Sequence, residues 1–327
     1  MRLLCAVGAV LALIFTASFA EARDIAKIRV GVLKFGTVNW ELDAMKRAGL
    51  DEKAGVDVEI VPFAGENASA VALQAGSVDM IVSDWLWVSR MRAEGADFTF
   101  VPYSTSVGSL MIQGDSEVED LGDLKGKTIG VAGGPLDKNW LLIQALAKKD
   151  NGLDLSAENY IVYGAPPLLA EKARQGELDA VLNFWHYAAR LEAEGFRTLV
   201  SGSDAAMKLG TSGPVASIGW VFGDAFARNN EAAIAGFLAA DKATKDVLAS
   251  SDEAWEALKP LMKAGDEKTF VKLRDRYREG IPARSGTAEA KDTEKLYEIL
   301  AKIGGEKLVG PAKTLSPGTY YDDGKNG

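Results

Sequence analysis

Gly76-Ser77-Val78-Asp79-Met80-Ile81-Val82-Ser83-Asp84-Trp85 and Gly176-Glu177-Leu178-Asp179-Ala180-Val181-Leu182-Asn183-Phe184-Trp185 stand one hundred residues apart and read as two versions of one segment. In each, a Gly precedes an apolar run of strand length, an Asp sits at the start of the run, and a Trp follows its end. The match continues downstream: Arg90, Ala93, Glu94 and Gly95 correspond to Arg190, Ala193, Glu194 and Gly195. Upstream, Asn39-Trp40 recurs as Asn139-Trp140 at the same offset. The period is too long for a solenoid. Two related halves, each carrying two Trp at equivalent places, predict two lobes facing one cleft.

Around these segments, apolar strand-length runs alternate with helical patterns. Ile28–Leu33 reads as a buried strand, and Asn39–Ala48 as a helix with Asn39 as its N-cap. Val56–Pro62 alternates apolar and acidic residues, as a strand covered on one face does. Ala68–Ala75 (helix), Val78–Val82 (strand), Leu86–Glu94 (helix) and Phe98–Tyr103 (strand) complete the first half. The series then restarts with a strand at Thr128–Val131, a helix from Asp137 to Ala147, and a strand at Tyr160–Tyr163. A helix at Leu168–Gln175, a strand at Leu178–Leu182, a helix at Tyr187–Glu194 and a strand at Arg197–Val200 follow. Such alternation implies βαβ units and a largely parallel sheet in each half. Ala216–Phe222 is β-like, and Asp224 to Lys302 is helical in pattern, expected to cover the first lobe. The Gly- and Asp-rich end from Ser316 is expected to be loose. Crossovers near Ser109–Gly114 and Gly213–Ser217 would carry the chain into the second lobe and back, allowing hinge closure. The expected division is 1–22 leader, 23–110 first lobe, 111–215 second lobe, and 216–327 return to the first lobe plus C-terminal helices.

Arg2, an apolar run from Leu3 to Phe19, and small residues around Ala20 and Ala22 fit a secretory signal peptide cleaved near one of those alanines. The run is shorter than a membrane span requires. Export to the periplasm is the expectation. The single cysteine, Cys5, lies inside this leader. Disulfides and thiol catalysis are therefore excluded from the mature chain. The net charge of -9 argues against nucleic acid as a partner, because that needs a basic footprint.

Ligands of open α/β sheets sit outside the carboxyl ends of the strands. That rule brings Lys34, Trp40, Ser83, Asp84, Trp85, Gly133, Gly134, Lys138, Trp140, Asn183, Trp185 and His186 to the cleft as candidate ligand-binding residues. The Trp rings offer flat apolar faces, Lys34 and Lys138 positive charge, and Gly133-Gly134 with the following helix start backbone N–H groups for an anion. For Trp40 and Trp140, packing on the sheet is the competing reading. Asp79 and Asp179 are expected to satisfy backbone groups beside their strands, and Arg90 and Arg190 to pair with nearby carboxylates. His186 is the only histidine, and one His does not build a metal site unaided. No Gly-x-Ser-x-Gly elbow, Gly-x-Gly-x-x-Gly or phosphate loop occurs. This combination points to binding rather than catalysis, with no required cofactor. Indoles and lysines together suit an anionic planar aromatic solute; a pyrroloquinoline-quinone-like compound is the sharpest expectation.

Asp123-Leu124-Lys125-Gly126-Lys127-Thr128-Ile129-Gly130-Val131-Ala132-Gly133-Gly134, with the two Gly-x-x-Asp segments, resembles the nitrate/taurine/sulfonate and thiamine-precursor (SsuA/THI5-like) group of periplasmic solute-binding proteins. The resemblance implies the two-lobed type II periplasmic-binding-protein fold. It also implies a monomer that delivers a small molecule to an ABC importer permease in the inner membrane. Sulfonate, taurine and thiamine-precursor pyrimidine are the alternative ligands it implies. A pyrimidine-synthase-like enzyme on the same fold, or a periplasmic cofactor carrier or sensor, is the alternative class. One departure is local: Ser83-Asp84-Trp85-Leu86-Trp87 is bulky where the family is small, which argues against a taurine-sized ligand.

Overall fold

The computed structural model describes residues 25–284 and 286–322. The leader and Cys5 lie outside the described residues. β1 (Ala26–Leu33), α1 (Val38–Ala48), α2 (Leu50–Lys53), β2 (Val56–Phe63), α3 (Glu66–Gln74), β3 (Met80–Asp84), α4 (Trp85–Ala93) and β4 (Phe98–Ser104) form the first half. The chain then crosses to β5 (Ser109–Ile112), β6 (Thr128–Ala132), α5 (Lys138–Asn151), β7 (Tyr160–Gly164), α6 (Pro166–Arg174), β8 (Ala180–Asn183), α7 (Trp185–Ala193), β9 (Arg197–Ser201) and α8 (Gly202–Lys208). It returns through β10 (Ile218–Gly223) and ends in α9 (Asp224–Asn229), α10 (Glu231–Ser250), α11 (Asp252–Met262), α12 (Glu267–Glu279), α13 (Gly286–Gly304) and α14 (Glu306–Val309).

Two five-stranded sheets result, ordered β2-β1-β3-β10-β4 and β7-β6-β8-β5-β9. Each is parallel but for its fourth strand, β10 or β5, which runs antiparallel to both neighbours. That reversed strand is the one next to a crossing. β5 receives the chain from the first sheet and β10 receives it back, so two connections join the lobes. Ser109 already pairs with Asn183 and Ser201. The first crossing therefore lies at residues 105–108, ahead of the expected boundary.

The repeated segment folds the same way twice. Gly76 and Gly176 adopt left-handed backbone at φ 69° and 72°, as only Gly does without strain. The Asp79 carboxylate accepts from the Arg29 N–H at 2.8 Å, and Asp179 accepts from the Thr128 N–H at 2.8 Å. Each Asp thus stitches the start of its strand to the neighbouring strand, as expected. Arg190 differs from expectation. It donates to the Met262 and Lys263 carbonyls rather than to a carboxylate, because α7 ends against the unpaired C-terminal carbonyls of α11.

The C-terminal helices do more than cover the first lobe. α10 lies on α1 and α2, but α12 packs on α7 and α13 on α5, both in the second lobe. One hydrophobic cluster accordingly joins Trp85 and Leu86 of the first half, Trp140 and Leu146 of the second, and Leu296 and Leu300 of α13. The end of the chain is also docked as far as it is described. Phe100 N–H donates to the Thr319 carbonyl at 2.8 Å, and Tyr321 N–H donates to the Phe100 carbonyl at 2.9 Å. β4 is an edge strand with an open row of backbone groups, and residues 316–322 satisfy part of it. This corrects the expectation of a loose end for those residues.

Beneath β4 lies a buried polar network. Lys245 donates to Glu41 and, at 2.8 Å, to Asp241; Tyr277 donates to Glu41; the Trp220 indole donates to Asp241 at 2.9 Å. Two carboxylates share one ammonium, so burial pushes the Glu41 carboxyl up to about 8 against the pull of Lys245.

Candidate functional site

The parallel strands of both sheets point their carboxyl ends at the gap between the lobes, where ligands of open α/β sheets bind. Asp84, at the end of β3, caps α4: one oxygen accepts from the Trp87 N–H at 2.8 Å. The other faces Lys138 of the second lobe, with Nζ 3.2 Å away. Asp137 caps α5 by accepting from the Trp140 N–H at 3.0 Å. The sequence placed an anion at this second helix start; its own carboxylate is there instead. Glu66 opens α3 beside them. Partial desolvation, then repulsion from Asp84, raises the Glu66 carboxyl above the usual range. Desolvation likewise raises Asp137. Burial works against the charge on Lys138, but Asp84 and Asp137 outweigh it and raise its pKa. Three carboxylates thus surround one ammonium at the mouth of the gap.

The four indoles separate into two kinds. Trp40, on α1, is only 5% exposed; it meets Trp185 of the second lobe edge to face at 5.9 Å and Trp255 of α11 edge to face at 6.4 Å, so its ring is taken up by packing rather than offered to a ligand as expected. This contact with Trp185 is one of those that join the lobes. Trp85 and Trp140 turn under the first turns of α4 and α5 and are 3% and 1% exposed. They belong to the hydrophobic interior, so the expectation that both offer a face to a ligand is corrected. Asn183 is fully buried as well. Its amide donates to the Pro166 carbonyl at 2.9 Å and its side-chain oxygen accepts from the Phe184 N–H at 2.9 Å, so both ends of the buried amide are tied to the second lobe's own backbone.

Lys34 stays exposed, with Nζ 5.5 Å from the Phe35 ring. Gly133 and Gly134 take φ of 84° and 83° in an open loop; a Cβ on Gly133 would come within 2.7 Å of the Asp137 carboxylate. Ser83 is half-buried and pairs with Gly219 of β10. His186 sits among rings, 5.7 Å from Trp185 and 4.6 Å from Tyr187. Burial, reinforced by Arg190, lowers its pKa to about 4, so it is neutral at neutral pH.

On the hinge side of the Trp40–Trp185 contact, a cavity of about 490 Å³ opens between the lobes. Thr105 and Ser106 of the first crossing, Trp185 and Glu192 of α7, Ser203 of α8 and Arg276 of α12 line it. Glu192 accepts from Lys272 at 2.9 Å and from two nitrogens of Arg276, each at 2.8 Å. Burial works against ionised Glu192, yet these cations hold its pKa below the usual range. Of the residues expected at the site, only Trp185 lines this cavity. The rest of the lining comes from the crossings, from β5, α7, β9 and α8 of the second lobe, and from α12, and no local pattern in the sequence marks it. Among the described residues no group of three or more His, Cys, Asp or Glu is placed to hold a metal ion. No helix among them is long and apolar enough to cross a membrane.

The sequence profile of the NMT1/THI5-like family matches residues 44–254, more than half of the chain. This chain is a member of the NMT1/THI5-like family. No curated protein matches it by sequence. Among solved structures, it is similar to the periplasmic aliphatic sulphonate binding protein SsuA from Escherichia coli, at 20% identity and a TM-score of 0.70, over 90% of this chain and 92% of that one. It is also similar to the alkanesulfonate-binding protein SsuA from Xanthomonas axonopodis pv. citri bound to MOPS, at 18% identity and a TM-score of 0.64, over 90% and 98% of the two chains. An ABC transporter structure from Parabacteroides distasonis aligns at 13% identity with a TM-score of 0.68, over 92% of this chain and all of that one. At these identities the likeness is one of fold, and it is the two-lobed α/β fold of periplasmic binding proteins. In this NMT1/THI5-like chain the gap between the lobes is the part that could enclose a small molecule.

Proposed function

We propose that the chain is the solute-binding subunit of an ABC importer. It is exported to the periplasm, closes its two lobes on a small organic solute, and presents it to a membrane permease. The observation that carries this reading is the pair of contacts across the gap, Trp40 with Trp185 and Asp84 with Lys138, between lobes joined by only two crossings. Such contacts form on closing and break on opening. The neighbours whose printed names are those of binding proteins support binding over catalysis. A pyrimidine-synthase-like enzyme or a cofactor carrier would need chemistry or a partner for which the site gives no separate sign.

The ligand is open to two readings. An anionic planar aromatic, such as a pyrroloquinoline-quinone-like compound, rests on Lys34, the half-buried Trp185 and neutral His186. It loses the support of Trp85 and Trp140, which are interior, and of Lys138, which is already paired. A sulfonate rests on the neighbours whose printed names state sulphonate or alkanesulfonate binding. A thermal-shift panel of sulfonates, pyrimidines, aromatic carboxylates and quinones on the leader-free protein tests the reading. A true solute at a hundred times its Kd stabilises the fold by about 2.7 kcal/mol. Solute turnover by the protein alone would contradict the binding reading.

A further inference from the structure

Resting on the reading that a solute is held between the lobes, we infer that the hinge-side cavity receives a compact solute bearing a cationic nitrogen, an ammonium or amidinium group. Its volume of about 490 Å³ lies within the range of small-molecule sites. Its walls come from every part that moves on closure: the first crossing, the second crossing through Pro214, α7 of the second lobe, and α12. A molecule seated there touches the second lobe, both crossings and α12 at once, the parts whose relative placement a closing ligand must fix.

The charge of the lining decides the sign. Glu192, Asp204 and Glu279 face the cavity with one cation, Arg276. That guanidinium is held by Glu192 and Glu279 together. Lys272 stands behind Glu192, which leaves the Asp204 charge in excess. Asp204 is exposed; one of its oxygens accepts from the Ser201 N–H and hydroxyl at the cap of α8, and the other accepts no hydrogen bond among the described residues. Ser109 and Ser203 also line the space, and their hydroxyls make no hydrogen bond among the described residues. They can accept from an N–H donor, while the half-buried Trp185 offers a ring to a cation. The mouth repeats the sign, with Glu66, Asp84 and Asp137 around Lys138. A bare anion would meet uncompensated carboxylate at both places; a cation is drawn in by the same field.

Putrescine and methanesulfonate serve as probes on the leader-free full chain, read by thermal shift and Trp fluorescence at low and high salt. Putrescine is expected to raise the melting temperature and change the fluorescence, with binding that weakens as salt rises. Ser203→Phe fills the cavity and is expected to weaken putrescine at least tenfold. Glu279→Gln, at a largely exposed side chain, is expected to weaken it about fivefold with the melt of the free protein unchanged. This second variant carries the test if Ser203→Phe does not fold. Putrescine binding unaltered in the folded variants overturns the inference, and so does the absence of putrescine binding. Methanesulfonate binding with putrescine silent also overturns it, yet leaves the protein a solute-binding one. Only the broad panel above, with no solute stabilising the fold, brings down that wider reading.

Discussion

Trp140 and Trp185 both stand in the first turn of a second-lobe helix, α5 and α7, and the structure gives them opposite tasks. Trp140 is 1% exposed in the core. Trp140→Ala is expected to destabilise the protein by about 3–5 kcal/mol. Trp185 is half-buried and packs only at the margin of its cluster, edge to face with Trp40 and beside His186. Trp185→Ala is expected to cost the free protein about 1 kcal/mol while weakening any solute that rests on the ring. Urea unfolding of both variants checks the pair, and equal losses would contradict the assignment. At this scale the sequence was only partly legible. The stitching role of Asp79 and Asp179 could be read, because a carboxylate at a strand start has backbone N–H groups within reach. Which indole faces the gap could not. A Trp at the first turn of a helix either rolls beneath it or points outward, and the spacing is the same in both cases.

Strands and helices were more legible, since apolar runs of strand length alternate with helical patterns punctuated by Gly. Boundaries moved by a few residues where caps decide them. Asp84 sets the start of α4 ahead of the expected Leu86, while α5 starts at its Asp137 cap as read but runs on to Asn151 rather than Ala147. Asn39 does not cap α1; its amide ties the preceding loop through the Leu33 and Gly36 carbonyls, each at 2.8 Å. α8 went unread because Gly202 begins it, yet the Ser201–Asp204 capping box fixes it firmly. Where the C-terminal helices would lie could not be read either, because their partners stand far away in sequence, 80 residues for Lys272–Glu192 and 204 for Lys245–Glu41. The α7–α12 pair shows what this arrangement does: Glu192 ties the second lobe to the extension through Lys272 and Arg276. Glu192→Gln is expected to weaken that junction by about 1 kcal/mol. Small-angle scattering should then show a larger radius of gyration for the variant than for the parent. An unchanged radius with an unchanged melt would mean that the pair is dispensable to the closed form.

At the level of the molecule, the duplicated segment foretold two lobes, and two sheets of matching strand order fulfil it. What it did not foretell is how tightly the lobes are bridged. Indoles, an ion pair, α12 and α13 all span the gap, and the first crossing falls at residues 105–108. Opening must therefore break Trp40–Trp185, Asp84–Lys138 and the Glu192 cluster together, while the Glu41–Lys245–Asp241 network stays intact inside the first lobe. A solute that fills the gap opposes that opening. The leader-free chain has no cysteine, so a pair introduced at Val71 and Leu168, exposed by 64% and 53% on α3 and α6, can carry spin labels without interference. The distance between the labels, measured by electron resonance with and without a solute that stabilises the fold, is the most direct test. A broad distribution that collapses to one short distance on adding the solute is the expected result; a single distance unaltered by every stabilising solute would contradict closure of the lobes as the basis of binding.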